Sequence, residues 1–211
     1  MASLTAEKGL IFRITHIANI PWILDHGLHC RSSAVRDPTF REIGSPDLIK
    51  KRAPRVVPVP PGGTLSDYIP FYFTPHTPML YNIATGWNVT PVPMPEIAMV
   101  VSSIPRLVEL KRAFVLTDRH AYLQAAEFSA DPSGLARIDW QLLQARDFKR
   151  SADDPGKVER YQAEALVHHH VPLEALVGMV RHGSPQQAQL AGELTQRGLP
   201  LKLAVRPGWY F

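Results

Sequence analysis

Glu164 stands at the entrance of an apolar run, Ala165-Leu166-Val167, and is a carboxylate that other segments could surround. At a strand entrance a Glu is often just a soluble flank, and it becomes reactive only in company. Company is on offer where the first apolar run ends. Thr15-His16 lies between Phe12-Arg13-Ile14 and Asn19-Ile20-Pro21, a junction that exposes backbone donors beside polar side chains and so suits a ribose or an amide. Further on, Tyr68-Ile69-Pro70-Phe71-Tyr72-Phe73 ends beside the polar turn Pro75-His76-Thr77. Aromatic strands are most often core, but here the ring of Tyr72 could offer a stacking face. In His168-His169-His170, strand alternation would send His168 and His170 to one face, where two imidazoles could share a metal. No third ligand is spaced to complete such a set. Histidines packed on a half-exposed strand are the expectation, and a metal is not.

The charge is concentrated. The chain has 23 Lys and Arg against 19 Asp and Glu, a net +4. Residues 31–60 carry that whole excess in Arg31, Arg36, Arg41, Lys50, Lys51, Arg52 and Arg55, against Asp37, Glu42 and Asp47. Such a segment favours a polyanion or a phosphate-bearing ligand, although a solvated face would look the same. There is no Gly-x-Gly-x-x-Gly, Walker loop, His-Glu-x-x-His or Gly-x-Ser-x-Gly, which argues against kinases, P-loop NTPases, zincins and α/β-hydrolases. Cys30 is the only cysteine, so no internal disulfide can form. With no apolar run of membrane-spanning length and no secretory leader, the expectation is a soluble, cytoplasmic protein with no membrane partner.

The elements that must position these groups are short. Ten of the twenty prolines cluster at 54–61, 70–78 and 91–95, which breaks long helices and fixes loops. No fixed-period repeat or Ser/Gly linker divides the chain, so residues 1–211 read as one domain. Strands are predicted at 9–16, 68–73, 97–101, 113–117, 164–171, 176–180 and 199–205, with 97–101 central because it is apolar throughout. Helices are predicted at 22–26, stopped by Gly27, and at 78–83, 104–110, 139–145 and 185–197. Residues 31–55 read as loop plus a short basic helix. Many short strands with small helices predict an α+β fold, not a doubly wound parallel sheet.

Seven blocks, in order and over nearly the whole chain, carry a resemblance. They are Ile14-Thr15-His16-Ile17-x-Asn19-Ile20-Pro21-x-Ile23-Leu24-x-x-Gly27-Leu28, then Ile49-Lys50-x-Arg52 leading to Val57-Pro58-Val59, then Gly63-x-Leu65-x-Asp67-Tyr68-Ile69-Pro70-Phe71-Tyr72-Phe73. Pro78-Met79-Leu80-Tyr81, Thr117-Asp118-x-x-Ala121, Ile138-Asp139-Trp140 and Gln162-Ala163-Glu164-x-Leu166-Val167 follow. The pattern resembles the DarT family, DNA ADP-ribosyltransferase toxins with the ADP-ribosyltransferase fold. Two positions depart from it: Pro75-His76-Thr77 stands where the family often has Pro-Arg-Ser, and His120 stands where it has Asn. Both are expected near the nucleic acid, which leaves the preferred base context open.

The resemblance implies a single-domain fold of mostly antiparallel sheets with small flanking helices. It implies NAD as ADP-ribose donor, thymidine in single-stranded DNA as acceptor, no metal, and a macrodomain antitoxin as partner. Breaking the nicotinamide–ribose bond develops positive charge on the sugar, which one carboxylate can stabilise. Glu164 is given that role, and Arg52 is the second catalytic group. Thr15, His16, Ile17, Asn19, Gly27, Leu28, Tyr72 and Leu80, with Arg52, are expected to form the NAD pocket. Lys50, Lys51, Arg55, His76, Arg119, His120, Arg146, Lys149 and Arg150 are expected to meet the nucleic acid. Residues 127–157, which precede Glu164, would be the substrate-selecting segment, with Trp140 as a core anchor. Two other readings stay open on the residues alone: a non-enzymatic single-strand-binding domain, and a transferase acting on RNA or protein. A basic strand contact releases counterions. Raising salt should therefore weaken single-stranded DNA binding more steeply than NAD binding, as read by titration at several ionic strengths, and equal slopes would argue against such a contact.

Overall fold

Prolines start helices in this chain more than they end them. The computed structural model describes residues 4–211, apart from the side chains of residues 184 and 186. Its helices are α1 (Ile20–His26), α2 (Pro46–Arg52), α3 (Pro78–Thr85), α4 (Ile104–Glu109), α5 (Trp140–Ala145), α6 (Lys157–Arg160) and α7 (Ser184–Gln196). Pro occupies the first turn of α1, α2, α3, α4 and α7, where its missing N–H has no helical partner to lose. Side chains close the open ends beside them. Ser45 accepts from the Leu48 N–H, Thr77 from Leu80 and Ser103 from Arg106. None of the described helices is long and apolar enough to cross a membrane.

The strands are β1 (Leu10–His16), β2 (Leu28–His29), β3 (Tyr68–Tyr72), β4 (Ile97–Ser103), β5 (Phe114–Thr117), β6 (Phe128–Ser129), β7 (Glu164–His168), β8 (His170–Val171), β9 (Gly178–Arg181) and β10 (Leu203–Val205). Eight form one sheet in the order β10-β9-β4-β1-β3-β7-β5-β6, and β2 pairs with β8 separately. Every ladder is antiparallel except β9 with β10, as expected for an α+β fold. β4 is buried along its full length between β1 and β9, which is why its sequence is apolar throughout.

One seam in this sheet is nearly open. β1 pairs with β4 over seven residues but with β3 only through Phe12 and Tyr72. Beyond that pair the two strands part, and Arg13 Nη1 donates to the Pro70 carbonyl across the gap at 2.9 Å. The parting creates the floor of a cleft without breaking the core, because Phe12 and Phe71 stay buried on the closed side.

Three sequence expectations need correction. Residues 164–171 are not one strand: His169 has φ 57°, a left-handed conformation that ends β7 and starts β8 in the other sheet. His168 then packs against the Tyr68 ring and His170 stacks on His29 at 4.3 Å, so the two do not share a face. Among the described residues no group of three His, Cys, Asp or Glu is arranged to hold a metal. The last strand is shorter than expected and parallel, since only Leu203–Val205 reaches β9. The strand expected at 176–180 pairs from Gly178, and β2, β6 and α6 are too short to leave a periodic signal.

Gly27 ends α1 with φ 75°, and a Cβ there would sit 2.5 Å from the Val171 carbonyl oxygen. Neither the backbone angle nor the contact tolerates a side chain. Gly27→Ala should cost about 1–3 kcal/mol in chemical denaturation. A change within error would mean that the α1–β8 junction is not rigid.

Candidate active site

Glu164 opens β7, and the sheet register sets its neighbours. It lies opposite Tyr72 of β3 on one side and Thr117 of β5 on the other. Its side chain is fully buried. A buried carboxylate must be paired or it neutralises, and this one has both oxygens engaged. Oε1 accepts from Arg52 Nη1 at 2.8 Å, and Oε2 accepts from the Ala121 backbone N–H at 2.8 Å. Arg52 is itself only 14% exposed and also donates through Nη1 to His120 Nε2, at 3.2 Å.

Electrostatics follow from this packing. Burial alone would push the Glu164 carboxyl up. The Arg52 charge, His120 and the two hydrogen bonds outweigh it and hold the group below its ordinary value. Burial keeps the His120 imidazole low, with Arg52 adding to the effect against the pull of Glu164. The Tyr72 phenol is pushed up to about 12, first by burial and then by Glu164. Arg13, half-buried on the cleft floor beside Tyr72 and Arg52, is lowered by desolvation to about 10 and still carries its charge near neutral pH. The centre therefore presents one carboxylate, two cations, a neutral imidazole and a phenol.

The cleft has a volume of about 260 Å³ and extends from Glu164, Arg52 and His120 past Tyr72 and Arg13 to Thr15 and to the loop at Phe40–Ser45. Among the expected NAD residues, Thr15, Tyr72 and Arg52 line it. His16 lies just beyond. Its Nδ1 accepts from the Ala18 N–H, and its Nε2 lies 3.1 Å from Glu96 Oε2 and 3.2 Å from Arg41 Nη1. Asn19 is buried and spent: it donates to Thr15 Oγ1 and the Arg41 carbonyl, and accepts from the Arg41 N–H. It thus ties the loop over the cleft to the first helix. Leu80 is core, and Gly27 and Leu28 pack at the α1–β8 junction. None of these three lines the cleft, nor does Ile17.

The expected nucleic-acid residues divide similarly. His120 reaches the centre, while Lys50 and Lys51 stand exposed on α2. Arg55 donates to the Leu123 carbonyl, and Arg119 is held by Asp118 and Glu159. Arg146 and Lys149 line a neighbouring concavity, and Arg150 is exposed beside it. His76 is buried edge-on to Phe211, and burial lowers it to about 4. Arg13, Gln162, Met79 and Asn82 also stand in the cleft wall, outside the set expected from the sequence. Arg13 had a signal: a lone cation inside an apolar strand needs a buried partner.

Comparison with known proteins gives these features a context. A DNA ADP-ribosyl transferase of Escherichia coli O127:H6 (strain E2348/69 / EPEC) is 48% identical over 211 residues, covering 100% of this chain and 97% of that protein. The structure of Thermus sp. 2.9 DarT in complex with ADP-ribosylated ssDNA matches with a TM-score of 0.89 at 33% identity, over 97% of each chain. Thermus sp. 2.9 DarT in complex with NAD+ matches with a TM-score of 0.84 at 31% identity, over 97% of this chain and 98% of that one. These likenesses make the protein an NAD-dependent DNA ADP-ribosyltransferase. A family model described as ssDNA thymidine ADP-ribosyltransferase, DarT, matches residues 12–211, and the chain belongs to that family. The non-enzymatic alternative is thereby set aside.

Removing Arg52 should reverse the pH dependence of stability. In the wild type the Glu164 pKa lies below its unfolded value, so the stabilisation is present above that value and lost as pH falls through the lower folded one. In Arg52→Ala burial dominates, and the carboxyl titrates above its unfolded value. That variant should lose about 3–5 kcal/mol near neutral pH and recover part of it on acidification. Thermal unfolding between about pH 4 and pH 7 reads the slope, and parallel slopes for both proteins would contradict the pairing.

Proposed function

We propose that this cleft transfers ADP-ribose from NAD to the N3 of a thymine in single-stranded DNA, with Glu164 and Arg52 as the catalytic pair. The observation that carries the reading is the buried, ionised Glu164, held charged by Arg52 beside an open seam of the sheet. As the bond from nicotinamide to the ribose C1′ breaks, nicotinamide leaves neutral and the sugar becomes cationic. A fixed carboxylate in a dry site is worth more there than in water. The same carboxylate can accept from a ribose hydroxyl. The thymine N3 gives its proton to His120 and, as the anion, then bonds to C1′. His120 is a neutral imidazole within reach of that step, and Arg52 would stabilise the base anion that precedes attack.

Thr15 and Tyr72 are assigned to the nicotinamide end, with Tyr72 supplying a flat face. His16 acts from just outside as part of the wall. Arg13 and Arg52 are the cations available to the diphosphate. Asn19 acts by holding the loop at Arg41 in place, and Leu80 by packing α3. Lys50, Lys51, Arg146, Lys149 and Arg150 are assigned to phosphates of the strand. The whole chain is read as one catalytic domain. By family, the protein is proposed to act in the cytoplasm as a toxin, countered by a macrodomain antitoxin that removes the adduct.

Intact-mass analysis of oligonucleotides incubated with protein and NAD tests the reading. A thymidine-containing strand should gain one ADP-ribose unit, and the same strand lacking thymidine should gain none. Glu164→Gln should lower the transfer rate about 10²–10³-fold with NAD affinity little changed. Modification confined to RNA or protein, or full activity of Glu164→Gln, would overturn the proposal.

A further inference from the structure

A second concavity, of about 710 Å³, adjoins the cleft across α3, and Pro78 and Asn82 line both. Its remaining wall is Tyr81, Trp87, Phe148 and Phe211, with Arg146, Asp147 and Lys149 at the rim. Tyr81, Phe148 and Phe211 meet edge-on, at ring separations of 5.3 to 6.0 Å. Trp87 lies on the loop after α3 at 67% exposure and makes no ring contact among the described residues. Tyr81 and Phe211 are 43% and 45% exposed. Three large aromatic surfaces open to water in one place are unusual unless something covers them. The acidic member of the rim is already engaged, since Lys157 donates to Asp147 at 2.7 Å.

Flat apolar faces beside cations suit a ligand that is itself a row of flat rings joined by phosphates. That is the recognition chemistry of single strands, where bases stack on aromatic side chains and basic groups follow the backbone. A folded duplex presents no free base faces. A helix is about 10 Å across, so a strand leaving the cleft crosses α3 within a few nucleotides.

We propose that this groove is a stacking subsite for bases of single-stranded DNA flanking the modified one, with Trp87 as its principal platform and Lys149 and Arg146 on the phosphates. The inference rests on the transfer reading above and adds a residue set outside the catalytic cleft. Trp87 sits in a loop and supports no core element, so its replacement leaves the fold intact.

Fluorescence anisotropy with labelled oligothymidylates and the full chain tests it by binding alone. An oligomer of about twelve nucleotides should bind Trp87→Ala about tenfold more weakly than wild type, with most of the affinity restored in Trp87→Phe, whereas one of about three nucleotides should bind both alike. Unchanged affinity for the long oligomer in Trp87→Ala would overturn the subsite. So would sedimentation showing that Trp87→Ala converts a dimer to a monomer without altering DNA affinity, because the groove would then be covered by a second copy of the chain. Failure of the transfer reaction itself is distinguishable, since it would leave the length-dependent loss of binding in place.

Discussion

A charged pair buried in the sheet governs the architecture of this protein. Taking a carboxylate and a guanidinium out of water costs several kcal/mol per ion, and that cost is offset only by near-ideal geometry with the remaining polar atoms satisfied. Here the geometry is supplied from three directions. β7 fixes the Glu164 backbone between β3 and β5, α2 brings Arg52, and the turn after β5 brings the Ala121 N–H and His120. α2 contributes no fully buried side chain of its own, so the ion pair is a main tie between that helix and the body. Well-packed hydrophobic residues often stabilise a fold as much as a buried ion pair does, so the retention of charge here fits the catalytic role proposed for Glu164 and Arg52.

The second constraint is that a reaction site needs an opening in an otherwise closed sheet. The parting of β1 from β3 meets it at one seam, with Arg13 occupying the Pro70 carbonyl that a strand would otherwise pair. Asn19 ties the far wall down by matching both backbone groups of Arg41. The cleft is therefore bounded by hydrogen bonds on two sides and by the core on the third. Such preorganisation is what lets fixed dipoles and charges act on a developing cation without rearranging.

Much of this was legible in the sequence, for reasons that differ by element. β4 could be read because burial on both faces demands an unbroken apolar run, and α3 because Thr77, Pro78 and Gly86 mark its start and end. Glu164 and Arg52 were legible as a pair only through the family pattern, since they lie 112 residues apart and nothing local couples them. Side-chain commitments were hidden altogether. Asn19 looks like a ligand group in the chain but is consumed by Thr15 and Arg41. The histidine run reads as alternating until the left-handed backbone of His169 interrupts it, a feature set by pairing with distant β2. Arg13 and the Trp87 groove were missed because each gains meaning only from segments brought alongside in three dimensions.

The proposed mechanism turns on where the Glu164 carboxylate points when the donor is bound. A crystal structure with an uncleavable NAD analogue tests it most directly, through the separation of the Glu164 carboxylate from the nicotinamide-side ribose. A carboxylate oxygen is expected at hydrogen-bond distance, about 2.5–3.0 Å from a ribose hydroxyl, with Arg52 still alongside. A ribose bound on the opposite face of the sheet, with Glu164 held as before and remote from the sugar, would contradict it.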